Sequence, residues 1–219
     1  MGQEIDLLVN YPKTKRNVEE RGTEKTEDDR QIARQFGKEF FDGDRRNGYG
    51  GFNYFPRFWQ PVIPTFQSHF NLTGESSLLD VGCAKGFMLH DMNILISGMK
   101  LKGIDISDYA IKNSIEDMKP HVKVADAKEL PFDDNSFDVV IAINTIHNLE
   151  EDECAQAVRE IERVSRKGAY ITVDAFNNDE EKERMFAWNL TAKTIMHVDE
   201  WKQFFADNGY TGDYFWFIP

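Results

Sequence analysis

The sequence is short of several things, and each shortage narrows what it can be. It contains no run of 18 or more apolar residues, so nothing in it reads as a membrane-spanning helix. It has two cysteines, Cys83 and Cys154, far apart and outside any Cys-x-x-Cys pair. That excludes a disulfide framework and a cysteine zinc site, and it fits a reducing compartment. Positive charge is scarce: 26 Lys and Arg against 38 Asp and Glu leave a net charge of −12. Such a surface repels a phosphate backbone. The one basic cluster, Lys13 to Arg16, is followed closely by Glu19 and Glu20. Nucleic acid and membrane are therefore not expected partners. No His/Asp/Glu group has metal-ligand spacing, and no internal repeat is visible. The opening residues lack the basic-then-apolar order of a secretory signal, and Asp6 stands where myristoylation asks for Ser or Thr. The expected location is the cytoplasm.

What is present is a core. Of 219 residues, 41% are hydrophobic and seventeen are Phe, enough for one well-packed domain with an added flap. Residues 1 to about 30 are charge-dense and read as a solvated arm. Ile32, Phe36 and Phe40 recur at a spacing of four and predict a helix from about 29 to 41. The stretch 41–59 mixes four glycines with aromatic rings and reads as a loop able to close over a ligand. Pro61 then opens a helix with Val62, Ile63, Phe66 and Phe70 on its apolar face, ending near Asn71.

Beyond residue 76, strands and helices alternate. Strands are predicted at 78–81, 101–106, 122–126, 137–144 and 169–176, nearly continuous in apolar content as a sheet covered on both faces requires. Helices are predicted at 87–96, 108–118, 152–165 and 199–207, with a minimal crossover at 127–136 and a final strand at 213–218. Such alternation predicts an α/β fold: a doubly wound, mostly parallel sheet of seven or six strands with right-handed crossovers. The expected division is 1–75 as arm and helical, aromatic lid, and 76–219 as a Rossmann-like core.

Chemistry gathers where strands end. "SLLDVGCAKGFML" (77–89) is a strand, a turn with Gly82 and Gly86, and a helix start, the unit that cradles nucleotides. Asp80, Asp105 and Asp126 end three successive strands, and Asp105 follows Gly82 by 23 residues, near the spacing at which an acid meets ribose. A nicotinamide dinucleotide fits this much equally well. Asp80 shifts the reading, because an acid two residues before the first glycine suits an ammonium group better than a pyrophosphate. Asp126 offers an acceptor to an exocyclic amine. One ligand carries amino acid, ribose and adenine together: S-adenosylmethionine. Taken singly, each acid could be a cap or a turn former. Cys83 reads as a small packed thiol rather than a reactive one.

"LLDVGCAKG" (78–86), "GIDIS" (103–107), "ADAKELPFDDNSFDVVIAINTIHNL" (125–149) and "REIERVSRKGAYITVDAF" (159–176) resemble, in order and at family spacing, the class I S-adenosylmethionine-dependent methyltransferases of the small-molecule, type 11-like group. The resemblance implies that Gly82, Cys83, Ala84 and Gly86 wrap the methionine part, with Asp80 near its amino group. It implies Asp105 on the ribose and Ile106 against adenine. Asp126 and the Ala127 backbone would take the adenine edge, and the Asn144 carbonyl the ammonium. S-adenosylhomocysteine would be the product, and no metal is expected. Ala84 stands where a glycine is common; a methyl there is tolerable if its backbone angles lie in an ordinary region, since only a positive φ demands glycine. The family's sheet usually ends in an antiparallel hairpin, whereas one clear terminal strand is visible here; the other is either missing, swapped from a partner, or contributed by 194–198.

The implied activity is methyl transfer to an O or N atom of a small polar metabolite, sugar or secondary-metabolite intermediate. The alternatives are a protein methyltransferase acting on an extended peptide, or a noncatalytic cofactor-binding module. His147, just past the fourth strand, is the first candidate for a base; Asp174 and His197 are weaker ones. Tyr49, Tyr54, Arg57, Trp59 and His197 are candidate substrate contacts. The acceptor's identity and the oligomeric state are not legible.

Overall fold

The computed structural model describes residues 2–12, 25–48 and 53–219. Its frame is a sheet of β1 (Ser77–Val81), β2 (Lys100–Asp105), β3 (Val122–Val124), β4 (Phe137–Ile143) and β5 (Ser165–Phe176), with β6 (Met196–His197) and β7 (Asp213–Phe217) at its far side. The order is β3-β2-β1-β4-β5, and every pairing is parallel. The chain starts in the middle, winds out to β3 and returns through β4. The order therefore reverses between β1 and β4, where the C-terminal ends of the strands open a crevice.

Period-two side-chain alternation sends each strand's apolar residues to two cores. Leu78, Leu101, Val139, Ile141 and Tyr170 pack against Ile63 and Phe66 of α4 (Ile63–Phe70) and Leu89 and Met92 of α5 (Phe87–Leu95). Leu79, Val81, Val140, Ala142, Ile171 and Val173 pack on Val158 and Ile161 of α7 (Glu151–Val164) and Trp201 and Phe205 of α9 (Val198–Asp207). The remaining helices are α1 (Glu27–Ala33), α2 (Lys38–Asp42), α3 (Pro56–Trp59), α6 (Asp108–Lys112) and α8 (Asp179–Trp188). As expected, 125–136 crosses from β3 to β4 without a helix.

Four expectations need correction. The single helix expected over 29–41 is two, α1 and α2, because Phe36 takes a positive φ of 48° and its carbonyl is held by the Ser107 hydroxyl. The helix expected over 108–118 stops at Lys112, since the Ile115 N–H turns away to the Lys85 carbonyl. No antiparallel strand occurs among the described residues. Instead β7 lies parallel along Tyr170–Asp174 and β6 lies parallel beside Ala175 and Phe176, because α9 carries the chain back across the sheet before β7 begins.

The fourth correction concerns the arm. Its first part is docked, not solvated. Ile5 N–H donates to the Tyr214 carbonyl at 3.0 Å and Tyr214 N–H to the Gln3 carbonyl at 3.1 Å, so residues 3–5 cap the edge of β7. The Tyr170 hydroxyl donates to the Ile5 carbonyl and accepts from Leu7 N–H, and Leu7 is buried. Apolar side chains hidden in a charged segment have no helical or strand period, so the pattern conceals them. Leu7→Ala should therefore cost about 2–4 kcal/mol in denaturant unfolding, the range for a buried leucine; a solvated arm would show no change.

Candidate active site

The crevice is a cavity of about 1250 Å³. That exceeds the usual range of roughly 300–1,000 Å³ for one small ligand, which leaves space for a second molecule. Across its floor the strand ends present, from β2 to β1 to β4 to β5, Asp105, Asp80, Asn144 and Asp174. The outer walls come from the docked arm and the C-terminus, with Tyr11, Trp59, Trp188 and Phe217 among the rings.

The turn after β1 is fixed by contacts that leave its residues little choice. Gly82 has φ +86°, and a Cβ there would meet the Thr145 side chain at 2.1 Å. Ala84 also has a positive φ, 49°, so its backbone lies outside the ordinary region in which a methyl is tolerated freely. The left-handed region costs an L-residue about 1–2 kcal/mol. Its N–H donates to Asp105 Oδ2 at 2.8 Å, and that charge-assisted bond holds the strained turn. Asp105 Oδ1 accepts from Ser107 N–H, also at 2.8 Å. Burial raises the Asp105 pKa and these two amides oppose it.

Asp80 is different. Among the described residues nothing donates to its carboxylate, and burial, with Asp105 nearby, pushes its pKa up to about 7. A buried acid next to a second acid, facing a cavity, is a socket for a cationic group. Ile106, an apolar side chain at the end of β2, is 55% exposed and faces the same cavity. An exposed flat-faced isoleucine beside a ribose-type acid fits an adenine ring. Asp126 and Ala127 line the cavity next to it; Asp126 Oδ1 accepts from Lys128 N–H, leaving further lone pairs. Asn144 is held at φ 52° by Thr172, whose hydroxyl accepts from Asn144 N–H and donates to Asn144 Oδ1. Thr172 was not legible as a site residue, since a threonine inside a strand carries no signal of its own.

Residues 79–173 match the family described as a methyltransferase domain. Over those residues the chain has a methyltransferase domain of the class I type. The cofactor that goes with this domain is S-adenosylmethionine, and the residues present fit it: an unpartnered acid for the ammonium, an acid for ribose and an exposed apolar platform for adenine. Among the described residues no group of His, Cys, Asp and Glu could hold a metal ion. The chain is 40% identical over 70 residues to the rat mitochondrial arginine-hydroxylase NDUFAF5, covering 32% of this chain and 20% of that protein. It is 31% identical over 144 residues to an Arabidopsis thaliana tRNA (carboxymethyluridine(34)-5-O)-methyltransferase, covering 65% and 33%. The chain thus spans a third or less of the length of these relatives. The crystal structure of YcgJ from Bacillus subtilis superposes with a TM-score of 0.54 at 19% identity, over 67% of this chain and 66% of that one, a likeness of fold.

The methyltransferase domain gathers only some of the predicted substrate contacts. Trp59 lines the cavity. Tyr49 lies outside the described residues. Tyr54 does not line the cavity: its hydroxyl donates to the buried Asp91 at 2.7 Å and its ring edges His90. Arg57 lies over the Phe58 ring, and His197 caps α9, its Nδ1 accepting from Asp199 N–H. Neither lines the cavity. Cys83 is packed and burial raises its thiol pKa well above the usual value, so it is no nucleophile.

His147 and Asp174 are both buried in the cavity floor. The Asp174 N–H donates to His147 Nδ1 at 3.0 Å, so Nδ1 is an acceptor and the ring proton sits on Nε2. Nε2 lies 3.8 Å from Asp174 Oδ1, near but beyond hydrogen-bond length. Burial lowers the His147 pKa and raises that of Asp174, driving both toward neutrality.

Substitutions at two positions test the buried acid and the strained turn in the ligand-free protein. Asp80 has a folded pKa near 7 against an ordinary value of 3.8, so the folded state keeps a proton that the unfolded state has lost between those pH values. Stability should fall as pH rises from about 4 to about 7. Asp80→Asn should remove that slope and be more stable at pH 8 by up to about 4 kcal/mol relative to its difference at pH 4, read from chemical unfolding at both pH values. Ala84→Gly should be neutral to about 1 kcal/mol stabilising, and Ala84→Val destabilising, since only the glycine relieves the positive φ.

Proposed function

We propose that this chain transfers the methyl group of S-adenosylmethionine to an oxygen or nitrogen atom of a small polar molecule, a metabolite or a sugar or secondary-metabolite intermediate, by in-line displacement. The observation that carries the reading is the row of strand-end groups, Asp105, Asp80 and Asn144, along one cavity with room beyond it for an acceptor. The net charge of −12 weighs against a nucleic-acid acceptor, although the Arabidopsis relative is named for one.

The cofactor supplies an electrophilic methyl carbon on a good leaving group, so the protein's work is placement and exclusion of water. Asp80 takes the ammonium group, with the Asn144 carbonyl accepting a hydrogen bond from it. Asp105 accepts from the ribose hydroxyls while its other bonds hold the turn. Ile106 packs on the adenine face. Asp126 accepts from the exocyclic amine, and the Ala127 N–H donates to a ring nitrogen. The backbone of Gly82, Cys83, Ala84 and Gly86 wraps the methionine chain. His147 Nδ1 accepts from the Asp174 backbone N–H, so the ring holds the end of β5 in place and, with its proton on Nε2, is not free to accept another.

Calorimetric titration is the test. S-adenosylhomocysteine should bind and NAD should not, and Asp105→Asn should weaken S-adenosylhomocysteine by roughly 10- to 100-fold, the worth of a hydrogen bond to a charged acceptor. NAD binding in its place would overturn the cofactor reading. With a labelled methyl donor and cell extract, label should enter the small-molecule fraction; label confined to macromolecules would overturn the acceptor class.

A further inference from the structure

Four cationic side chains line the cavity, and each is held by an acid outside it. Arg34 lies 3.4 Å from Glu27, Lys85 2.6 Å from Asp42, Lys128 2.5 Å from Glu153 and Lys193 3.1 Å from Glu150. The cavity also carries Asp6 from the docked arm, besides the acids of the cofactor row, and Glu4, which is itself held by Lys202 at 3.2 Å. Its surplus charge is negative. At the acceptor end of that row stands Asp174, 5% exposed, with no hydrogen bond to its carboxylate from any described residue and only the neutral His147 ring nearby.

Asp174 is not a structural acid. A carboxylate placed to stabilise a sheet end is supplied with donors, as Asp138 at the opposite end of the sheet is by Ser77, Arg166 and Lys167. Asp174 is left open to the cavity, next in order after Asn144 and one strand beyond the expected methionine end. A hydroxyl acceptor could share one hydrogen bond with it and would leave it in the neutral form that burial favours. An ammonium group would supply both charge and donors. Trp188 and Phe217, the latter in register with Asp174 across the β5–β7 pairing, add apolar ring surface to the cavity wall, the Trp188 ring already carrying Lys25 Nζ at 5.2 Å.

We infer that the methyl acceptor is a small amine bound as its ammonium ion against Asp174, which takes the proton that frees the nitrogen lone pair. This rests on the methyl-transfer reading above and names its substrate class. The balance is complete. The ammonium N–H proton passes to the Asp174 carboxylate. The nitrogen lone pair forms the N–C bond as the C–S bond breaks, and the electron pair of that bond stays on sulfur, giving S-adenosylhomocysteine and the N-methylated ammonium. The proton on Asp174 then leaves to water.

The experiment uses the full chain saturated with S-adenosylhomocysteine and titrates arylalkyl amines, benzylamine to 4-phenylbutylamine, against the alcohols of the same skeleton. At least one amine should bind ten-fold or more tightly than its matched alcohol, and Asp174→Asn should erase the preference while leaving S-adenosylhomocysteine affinity within about three-fold. Incubated with S-adenosylmethionine, that amine should gain one methyl on nitrogen by mass spectrometry, and Asp174→Asn should lose 100-fold or more in kcat/KM. Asp174→Glu, which keeps the charge, should retain the amine preference, so loss of the preference in Asn alone is not a folding defect. If alcohols bind as well as amines, if no amine binds, or if the Asn variant keeps the preference, the inference is overturned. Failure of S-adenosylhomocysteine to bind at all would instead overturn the reading on which it rests.

Discussion

Taking a carboxylate out of water costs several kcal/mol unless a cation or several hydrogen bonds replace the solvent, and the two ends of this sheet meet that cost differently. At the N-terminal end Asp138 receives the Ser77 N–H and hydroxyl, the Arg166 guanidinium and the Lys167 ammonium, which together hold its pKa far below the usual carboxylate range. At the C-terminal end Asp80 and Asp174 are as deeply buried and receive nothing comparable, and burial raises the pKa of both. The same residue type is neutralised where it holds the fold together and left open where the cavity lies. An open buried acid destabilises the ligand-free protein and becomes favourable only when a cation arrives. That contrast, more than any single distance, marks which end of the molecule binds.

The walls follow from how the chain closes its sheet. Because α9 returns the chain across the sheet, β7 joins β5 in parallel and delivers Phe217 to the same end as Asp174. The edge that β7 would otherwise expose is capped by residues 3–5, and the Tyr170 hydroxyl bridges that cap to the core by bonding at once to Ile5 and Leu7. Capping an edge strand prevents pairing with another chain. Here it also brings Glu4, Asp6 and Tyr11 to the rim of the cavity. On the cofactor side, Asp42 of α2 accepts from Lys85 in the turn after β1 and from the Tyr109 hydroxyl of α6, so the N-terminal helices are anchored to the turn itself.

The strands were legible because a doubly covered sheet demands long apolar runs, and no other element in this chain has them. The acids at the strand ends were legible because spacing alone placed them one per strand. Ala84 was not: an alanine gives no sign of positive φ, and the reason for its conformation, the Asp105 carboxylate reaching back to its N–H, lies 21 residues away. Leu7 was hidden for a similar reason, since what buries it is Tyr170. Tyr54, Arg57 and His197 drew attention by residue type, yet their hydrogen-bonding and ring-stacking capacity is spent on Asp91, on Phe58 and on the start of α9. Residue type announces what a side chain can do; only its neighbours decide whether that capacity is free.

The boundary of the family match divides the cavity in two. Asp80, Asp105, Asp126 and Asn144 fall inside residues 79–173, and Asp174 falls one residue beyond. Trp188, Phe217 and the docked arm with Tyr11 are farther out still. The proposed cofactor half thus lies inside the matched residues, and the proposed acceptor half largely outside them. A common methyl donor constrains one half of such a site, because adenine, ribose and methionine must be met in the same order each time. Nothing comparable constrains the other half, where the acceptor differs from enzyme to enzyme. On the reading proposed above, the open carboxylate at the end of β5, more than the fold, is what selects the acceptor.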